Sequence, residues 1–289
     1  MIFGPLKALC TVERFGWAQR APVVKRLGRR SRVSRETSFP FRVGQNCPSR
    51  RHGVLALLKS PRRRQDCLAA RCVLQCLSMI ARNTVRELLG PFEVILSDSD
   101  IDRLLAYLAL LLRWNQKINL TSIRTPEECI TRHFGESFFL ASAVPLRGRL
   151  LDIGSGAGFP GLALKLLTPD LEVVLLEPVA KKRAFLKEVA RTCGMSSVRV
   201  MGNRFEEFSK QEEPHSFDMV TARAVGGLES LIPAAGRLLK AEGDLCLWVG
   251  SQQVEEIGKM DTEFRWLESV PIPLSQERKI LVGKTRRHE

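Results

Sequence analysis

The stretch Leu150-Leu-Asp-Ile-Gly-Ser-Gly-Ala-Gly-Phe-Pro-Gly161 decides the fold. Leu150 to Ile153 is an apolar strand signal, and it runs directly into glycines at alternate positions, Gly154, Gly156 and Gly158. Glycine takes up unusual backbone dihedrals at little steric cost and lets a ligand approach where a Cβ would block it. An apolar, helix-like run follows, Leu162-Ala-Leu-Lys-Leu-Leu167. Strand, glycine turn and helix make the opening unit of a nucleotide-binding parallel sheet. Further on, a second apolar run, Val173-Val-Leu-Leu176, ends in Glu177. A carboxylate at the tip of the second strand suits the two hydroxyls of a bound ribose.

Two ligand classes use this arrangement. A dinucleotide wants G-x-G-x-x-G with a helix N-terminus facing the pyrophosphate. Counted from Gly154, the third position of that pattern is Phe159; the register Gly156, Gly158, Gly161 does match, but it starts two residues after the strand signal ends. S-adenosylmethionine carries no pyrophosphate, and its sulfonium is cationic. Asp152, just before the glycines, fits a cationic ligand and opposes an anionic one. Local chemistry therefore favours a methyl donor, with a dinucleotide as the alternative.

Working outward from residue 149, the signals alternate: strand 149–153, helix 158–168, strand 172–177, helix 179–193, strand 197–201, strand 217–221, helix 228–239 and strand 243–249. Strands near 265–270 and 278–283 have no convincing helix between them and are expected to be antiparallel. Alternation of this kind predicts an α/β, Rossmann-like, mostly parallel sheet over residues 149–289, with helices on both faces. Its ligand should bind past the carboxyl ends of the strands. Residues 83–148 read as a helical extension. Ser97-Asp-Ser-Asp100 precedes the stripe Ile101, Leu104, Leu105, Leu108, Leu111, Leu112, a capped amphipathic helix that continues through Trp114. Thr125-Pro-Glu-Glu128 starts another, with Thr125 as cap, Pro126 first in the helix and Glu128 as capping-box acid. Ile130, Phe134, Phe138 and Phe139 form its inner face.

The formal charge of +14 is unevenly spread. Residues 1–82 hold 18 basic and three acidic side chains, whereas residues 83–289 hold 27 basic and 28 acidic ones. The body is thus close to neutral, which argues for a local basic patch rather than general affinity for RNA. Three readings suit the basic segment: an organelle transit peptide, a basic arm that engages RNA, or an over-extended gene start with the true initiator at Met79. Its mix of Arg, Cys and Pro without an amphipathic pattern favours the last. Cys72 and Cys76 have no second pair, and His52 is the only histidine nearby, so no metal site is expected. Cys129, Cys193 and Cys246 lie far apart and read as core residues of a reducing compartment. Leu104–Leu112 is nine apolar-rich residues between Arg103 and Arg113, less than half a membrane span. A cytoplasmic protein is expected.

Several stretches together resemble the glucose-inhibited division protein B family of 16S ribosomal RNA methyltransferases, over roughly residues 85–285. Arg113-Trp-Asn-Gln-Lys-Ile-Asn-Leu-Thr-Ser-Ile-Arg124 is similar to its W-N-x-x-x-N-L-T signature. Arg132-His133-Phe134 with Ser137 resembles R-H-x-x-D-S, although Glu136 stands where the family usually has Asp. Asp152 to Gly161 matches D-[IV]-G-[ST]-G-x-G-x-P-G, and Asn203-Arg-Phe-Glu-Glu207 and Thr221-Ala-Arg-Ala224 complete the set. The resemblance implies a class I S-adenosylmethionine-dependent sheet and methylation of guanine N7 in the RNA of the small ribosomal subunit. It implies that Gly154 and Phe159 border the donor, that Glu177 takes its ribose, and that Phe205 and Glu206 flank its adenine. Arg223 would reach the donor or the target base as the catalytic residue.

Each of these residues also has a plainer reading. Trp114 continues the apolar stripe and reads first as a core anchor. Asn115 and Asn119 suit a helix end and turn. Lys117, Arg124, Arg132 and His133 read either as solvated side chains or, with Asn119, as contacts to substrate RNA. Lys181-Lys-Arg183 opens a helix against the dipole, a mild cost that hints at phosphate. Asp152 serves equally as a cap for the turn. Beside the leading function stand methylation of another RNA or a small molecule, a dinucleotide enzyme, and a catalytically silent RNA-binding module.

Overall fold

The computed structural model describes residues 80–286, so the expectations for the basic segment before residue 80 lie outside the described residues. Helix α1 (Arg82–Leu89) precedes α2 (Asp98–Asn115). Ser97 caps α2 as expected: its hydroxyl accepts the Asp100 amide, and Asp98 and Asp100 put negative charge where the helix dipole favours it. The next helical stretch departs from expectation. Thr125 and Pro126 occupy the cap and first positions of α3 (Pro126–Cys129), but the Thr125 hydroxyl donates to the Glu128 carboxylate and makes no bond to a backbone amide. The capping box expected at Thr125 therefore does not form. The chain then widens into a π-helical turn, Ile130–Gly135, before α4 (Glu136–Phe138) and α5 (Leu140–Ala143). Ile130, Phe134, Phe138 and Phe139 are buried, as their spacing predicts.

The sheet begins with β1 (Arg149–Ile153), followed by α6 (Gly161–Leu167), β2 (Glu172–Leu176), α7 (Ala180–Thr192), β3 (Val198–Met201), α8 (Phe205–Gln211) and β4 (Phe217–Arg223). After it come α9 (Leu228–Leu238), β5 (Leu239–Gly250), α10 (Ser251–Gly258), β6 (Phe264–Trp266), β7 (Val270–Pro271) and β8 (Arg278–Thr285). Strand order is β3-β2-β1-β4-β5-β8-β6, with β7 paired to β8. The first five strands are parallel, and β8 inserts antiparallel between β5 and β6. This is the expected Rossmann-like class with antiparallel C-terminal strands. Helices α8 and α10 were not anticipated; at seven and eight residues they are too short to declare a helical period. Helix α6 starts at Gly161, three residues later than expected, because the glycine turn extends through Pro160.

Period-two alternation divides the strand side chains between two cores. Leu150, Val173, Leu175, Met219, Cys246 and Val282 join the core that holds α2, Phe134 and Phe138. Leu151, Ile153, Val174, Leu176, Val220, Leu245 and Leu281 join the one that holds residues of α8 and α9. Near-continuous apolar runs are what a sheet covered on both faces requires. Cys129, Cys193 and Cys246 are buried free thiols, and burial pushes the first two up to about 12 and about 11. Among the described residues no helix is long and apolar enough to cross a membrane, and no cluster of potential metal ligands occurs.

Candidate active site

The parallel register sets one residue of each strand in a single row: Ile153 lies beside Leu176 and Ala222, and Leu176 beside Met201. The residues that follow them, Gly154, Glu177, Gly202 and Arg223, therefore line up along the C-terminal edge. Strand order reverses at β1, and a crevice for ligand opens at such a point.

Gly154, Gly156 and Gly158 all have positive φ, at 67°, 54° and 87°, and a cis peptide joins Phe159 to Pro160. At Gly158 space forbids a side chain as well, since a Cβ would come 2.2 Å from the Tyr107 hydroxyl. Three groups hold the turn. The Tyr107 hydroxyl donates to the Ala157 carbonyl at 2.6 Å. The buried Glu177 carboxylate accepts the Gly156 amide at 2.9 Å and the Val179 amide at 2.8 Å, one on each oxygen. Each oxygen keeps a second acceptor site, enough for two ribose hydroxyls. Asp152 accepts the Thr221 hydroxyl at 2.8 Å and the Gly161 amide at 3.3 Å.

Asp152 takes the turn-capping position that its plainer reading gave it. It is fully buried behind the turn. Burial raises its pKa to about 6, against the opposing hydrogen bonds from Thr221, Ser155 and Gly161. Phe159 sits in an aromatic column, stacked on Tyr107 at 5.3 Å and on His133 at 4.7 Å between ring centroids. Phe159 is buried among these rings. Phe205 opens α8 as a buried residue, and Glu206 beside it is exposed.

The π-helical turn brings Arg132 and His133 to the same edge; such widened turns recur at functional sites. His133 Nε2 lies 2.8 Å from the Thr121 hydroxyl, which already accepts the Ile123 amide. Donation from that hydroxyl to Nε2 leaves the fewest unpaired groups and puts the ring proton on Nδ1, a buried atom without a partner. Burial, then the nearby Arg223 and Arg132, lower the His133 pKa to about 3, so the ring is neutral. Asn115 holds the adjoining loop. Its carbonyl oxygen accepts the Leu120 and Thr121 amides, and its amide donates to the Thr121 and Ile123 carbonyls. Asn115 is thus a loop fastener, as its plainer reading had it.

Arg223 is half fixed. Its Nη2 donates to the Arg132 carbonyl at 2.8 Å and to Glu136 at 3.0 Å, while Nη1 is buried without a partner. Burial lowers its pKa from the ordinary arginine value and Glu136 opposes that. Glu136, 1% exposed, also accepts from Arg278 at 2.7 Å, and its carbonyl accepts the Trp248 indole N–H at 3.0 Å. Lys117, Asn119, Arg124 and Arg132 are exposed, and Arg124 donates to the Asn115 carbonyl at 3.1 Å.

Tyr107, the hub role of Glu136, and Arg278 escaped sequence reasoning. Tyr107 carried a usable signal: it is the one tyrosine of the chain and lies on the apolar side of α2, where a buried hydroxyl needs a partner. Arg278 carried none.

A family profile described as rRNA small subunit methyltransferase G matches residues 100–280. "Ribosomal RNA small subunit methyltransferase G" of Desulfitobacterium hafniense (strain Y51) is 42% identical over 180 residues, 60% of this chain and 74% of that protein. The protein of the same name from Xylella fastidiosa (strain 9a5c) is 38% identical over 203 residues, 68% of this chain and 92% of its own length. A third, from Halorhodospira halophila (strain DSM 244 / SL1), is 37% identical over 179 residues, 62% of this chain and 83% of the relative.

Proposed function

The chain belongs to the rRNA small subunit methyltransferase G family, and from that premise we propose that it methylates N7 of a guanine in 16S ribosomal RNA, using S-adenosylmethionine. The dinucleotide alternative is not favoured by this membership. One observation carries the site assignment: the Glu177 carboxylate, tied to the Gly156 amide, stands in the same row as Gly154 and Arg223.

The residues present fit the donor. Glu177 has acceptor capacity left for the ribose, Gly154 and Gly156 leave room for close approach, and Phe205 and Glu206 stand past β3 for the adenine. When bound, S-adenosylmethionine supplies a methyl group already activated by its cationic sulfur. Guanine N7 has an in-plane lone pair and no proton to lose, so the protein has to align the partners and needs no strong general base. Asp152 contributes negative charge from behind the turn, and the neutral His133 adds no charge that would repel a cation. Arg223 is pinned through Nη2, which leaves Nη1 to donate to an oxygen, either the guanine O6 or a carboxylate. Lys117, Asn119, Arg124, Arg132 and His133 would meet the RNA around the target. A small-ribosomal-subunit substrate is consistent with a reaction in the cytoplasm.

The test uses purified protein, labelled S-adenosylmethionine, and small subunits from a strain without its own enzyme, with the product mapped by RNA mass spectrometry. We expect 7-methylguanosine at one site, and loss of most turnover in Arg223→Ala. Label on another nucleotide would overturn the reaction, and near-normal turnover in Arg223→Ala would remove that residue from the site.

A further inference from the structure

Three charged groups from distant parts of the chain meet at the C-terminal edge of the sheet: Glu136 opens α4, Arg223 ends β4 and Arg278 begins β8. Arg278 lies opposite Gly250, the last residue of β5, so the antiparallel insertion of β8 brings it to the edge where the parallel strands end. The two arginines divide the Glu136 carboxylate between them. Arg278 takes Oε1 with two donors, Nη2 at 2.7 Å and Nε at 3.2 Å. Arg223 reaches Oε2 with Nη2 at 3.0 Å and shares that nitrogen with the Arg132 carbonyl. An arginine and a carboxylate left to themselves favour two parallel bonds, one to each oxygen. That pairing would consume Arg223 Nη1, yet Nη1 is buried and without a partner. An unmet buried donor is costly, so some feature of the fold has to prevent the fuller pairing.

The arrangement around Arg278 supplies that feature. Its amide donates to the Ser275 hydroxyl at 3.0 Å, and its carbonyl accepts the Ile272 amide at 3.0 Å. Glu136 is fixed in turn by the Trp248 indole N–H on its carbonyl at 3.0 Å. Both ends of the Arg278–Glu136 pair are therefore anchored through the backbone, and Oε1 stays occupied. Two arginines on one carboxylate also leave the cluster with one net positive charge, which a Glu136–Arg223 pair alone would lack.

Resting on the assignment of Arg223 to the methyl-transfer site, we propose that Arg278 is a positioning residue: by holding Glu136 Oε1 it keeps Arg223 on one oxygen and leaves Nη1 free for an acceptor on the ligand. The competing role is direct contact with an RNA phosphate, since the Arg278 side chain is 35% exposed. A phosphate contact acts on KM for the particle and on its salt dependence, whereas positioning acts on kcat.

The test joins kinetics on small subunits with crystal structures of Arg278→Met, which keeps an unbranched stem, and Arg278→Lys, which can still donate to Oε1. In Arg278→Met, kcat should fall at least tenfold, with KM for the particle within twofold and its salt dependence unchanged. Arg278→Lys should recover most of that loss. Added to Arg223→Ala, Arg278→Met should lower kcat no further, because the second residue acts through the first. Adenosine, which has the base and ribose of the donor, should bind Arg278→Met with wild-type affinity in calorimetry, showing a folded cleft. The crystal structure of Arg278→Met should place Arg223 Nη1 on Oε1 and Nη2 on Oε2. Full kcat in that variant, a higher KM with a flatter salt dependence at unchanged kcat, or a structure in which Nη1 stays unpaired would each overturn the proposal. If the wild type transfers no methyl group to the particle, the reaction assignment fails, and the crystal structure by itself decides what Arg278 does to Arg223.

Discussion

The hydroxyl of Tyr107 donates to the carbonyl of Ala157 at 2.6 Å, so a helix fifty residues upstream holds the glycine turn from behind. Tyr107 is fully buried, and its ring also stacks on Phe159. Tyr107→Phe keeps the stack and removes one donor, leaving the Ala157 carbonyl unpaired. We expect a loss of about 1–2 kcal/mol in urea denaturation and weaker S-adenosylhomocysteine binding by calorimetry. Unchanged stability together with unchanged affinity would show that the turn does not depend on this bond.

Glu177→Gln separates support of the turn from contact with ribose. Glutamine retains one carbonyl acceptor, but its NH2 group can accept neither an amide nor a hydroxyl. Affinity for S-adenosylhomocysteine should fall at least tenfold in calorimetry, whereas that for methionine, which lacks the ribose, should barely change. Equal losses for both ligands would mean that Glu177 acts only on the backbone.

Asp152 and His133 should give opposite pH dependences. Burial raises Asp152 from 3.8 to about 6, so the folded state binds the extra proton between those values, and this group's stabilising contribution grows as pH falls from about 6 towards 4. His133 is lowered from 6.5 to about 3, so the unfolded state binds the proton, and stability is lost as pH falls below about 6.5. Relative to wild type, His133→Gln should therefore gain stability between pH 7 and pH 4.5, while Asp152→Asn should lose it. Each difference should be on the order of 2–3 kcal/mol. Denaturant titrations at the two pH values decide this, and differences of the reverse sign would refute the assignment of both groups.

Glu136 lies between Arg223 and Arg278, with both guanidinium groups on its carboxylate. Glu136→Gln leaves those cations without their shared anion and should cost about 3 kcal/mol in stability. Methyl transfer should fall by at least tenfold, because Arg223 is no longer held in place. Retention of full kcat in this variant would show that the position of Arg223 is set elsewhere.

Much of the fold was legible because its signals are local. The continuous apolar runs of β1 and β2, the 3.6-residue stripe of α2 and the need for glycine at positive φ each lie within a few neighbouring residues. The Thr125 capping box was misread because the residue pattern does not fix whether the hydroxyl reaches a backbone amide, and α10 was missed because two turns show too little periodicity. The Lys181 run hinted at phosphate in the sequence, but only the packing of α2 against α7 brings it to Trp114.

By itself the sequence determined the α/β order of elements and the pairing of a glycine turn with a carboxylate at the second strand tip. The tertiary structure alone decided that Asp152 faces inward, that Tyr107 braces the turn, and that Glu136 meets Arg278 across 142 residues. Backbone preference is a property of neighbours in the chain. The partner of a buried polar group is chosen by which distant elements pack against it, because leaving such a group without a hydrogen bond is costly.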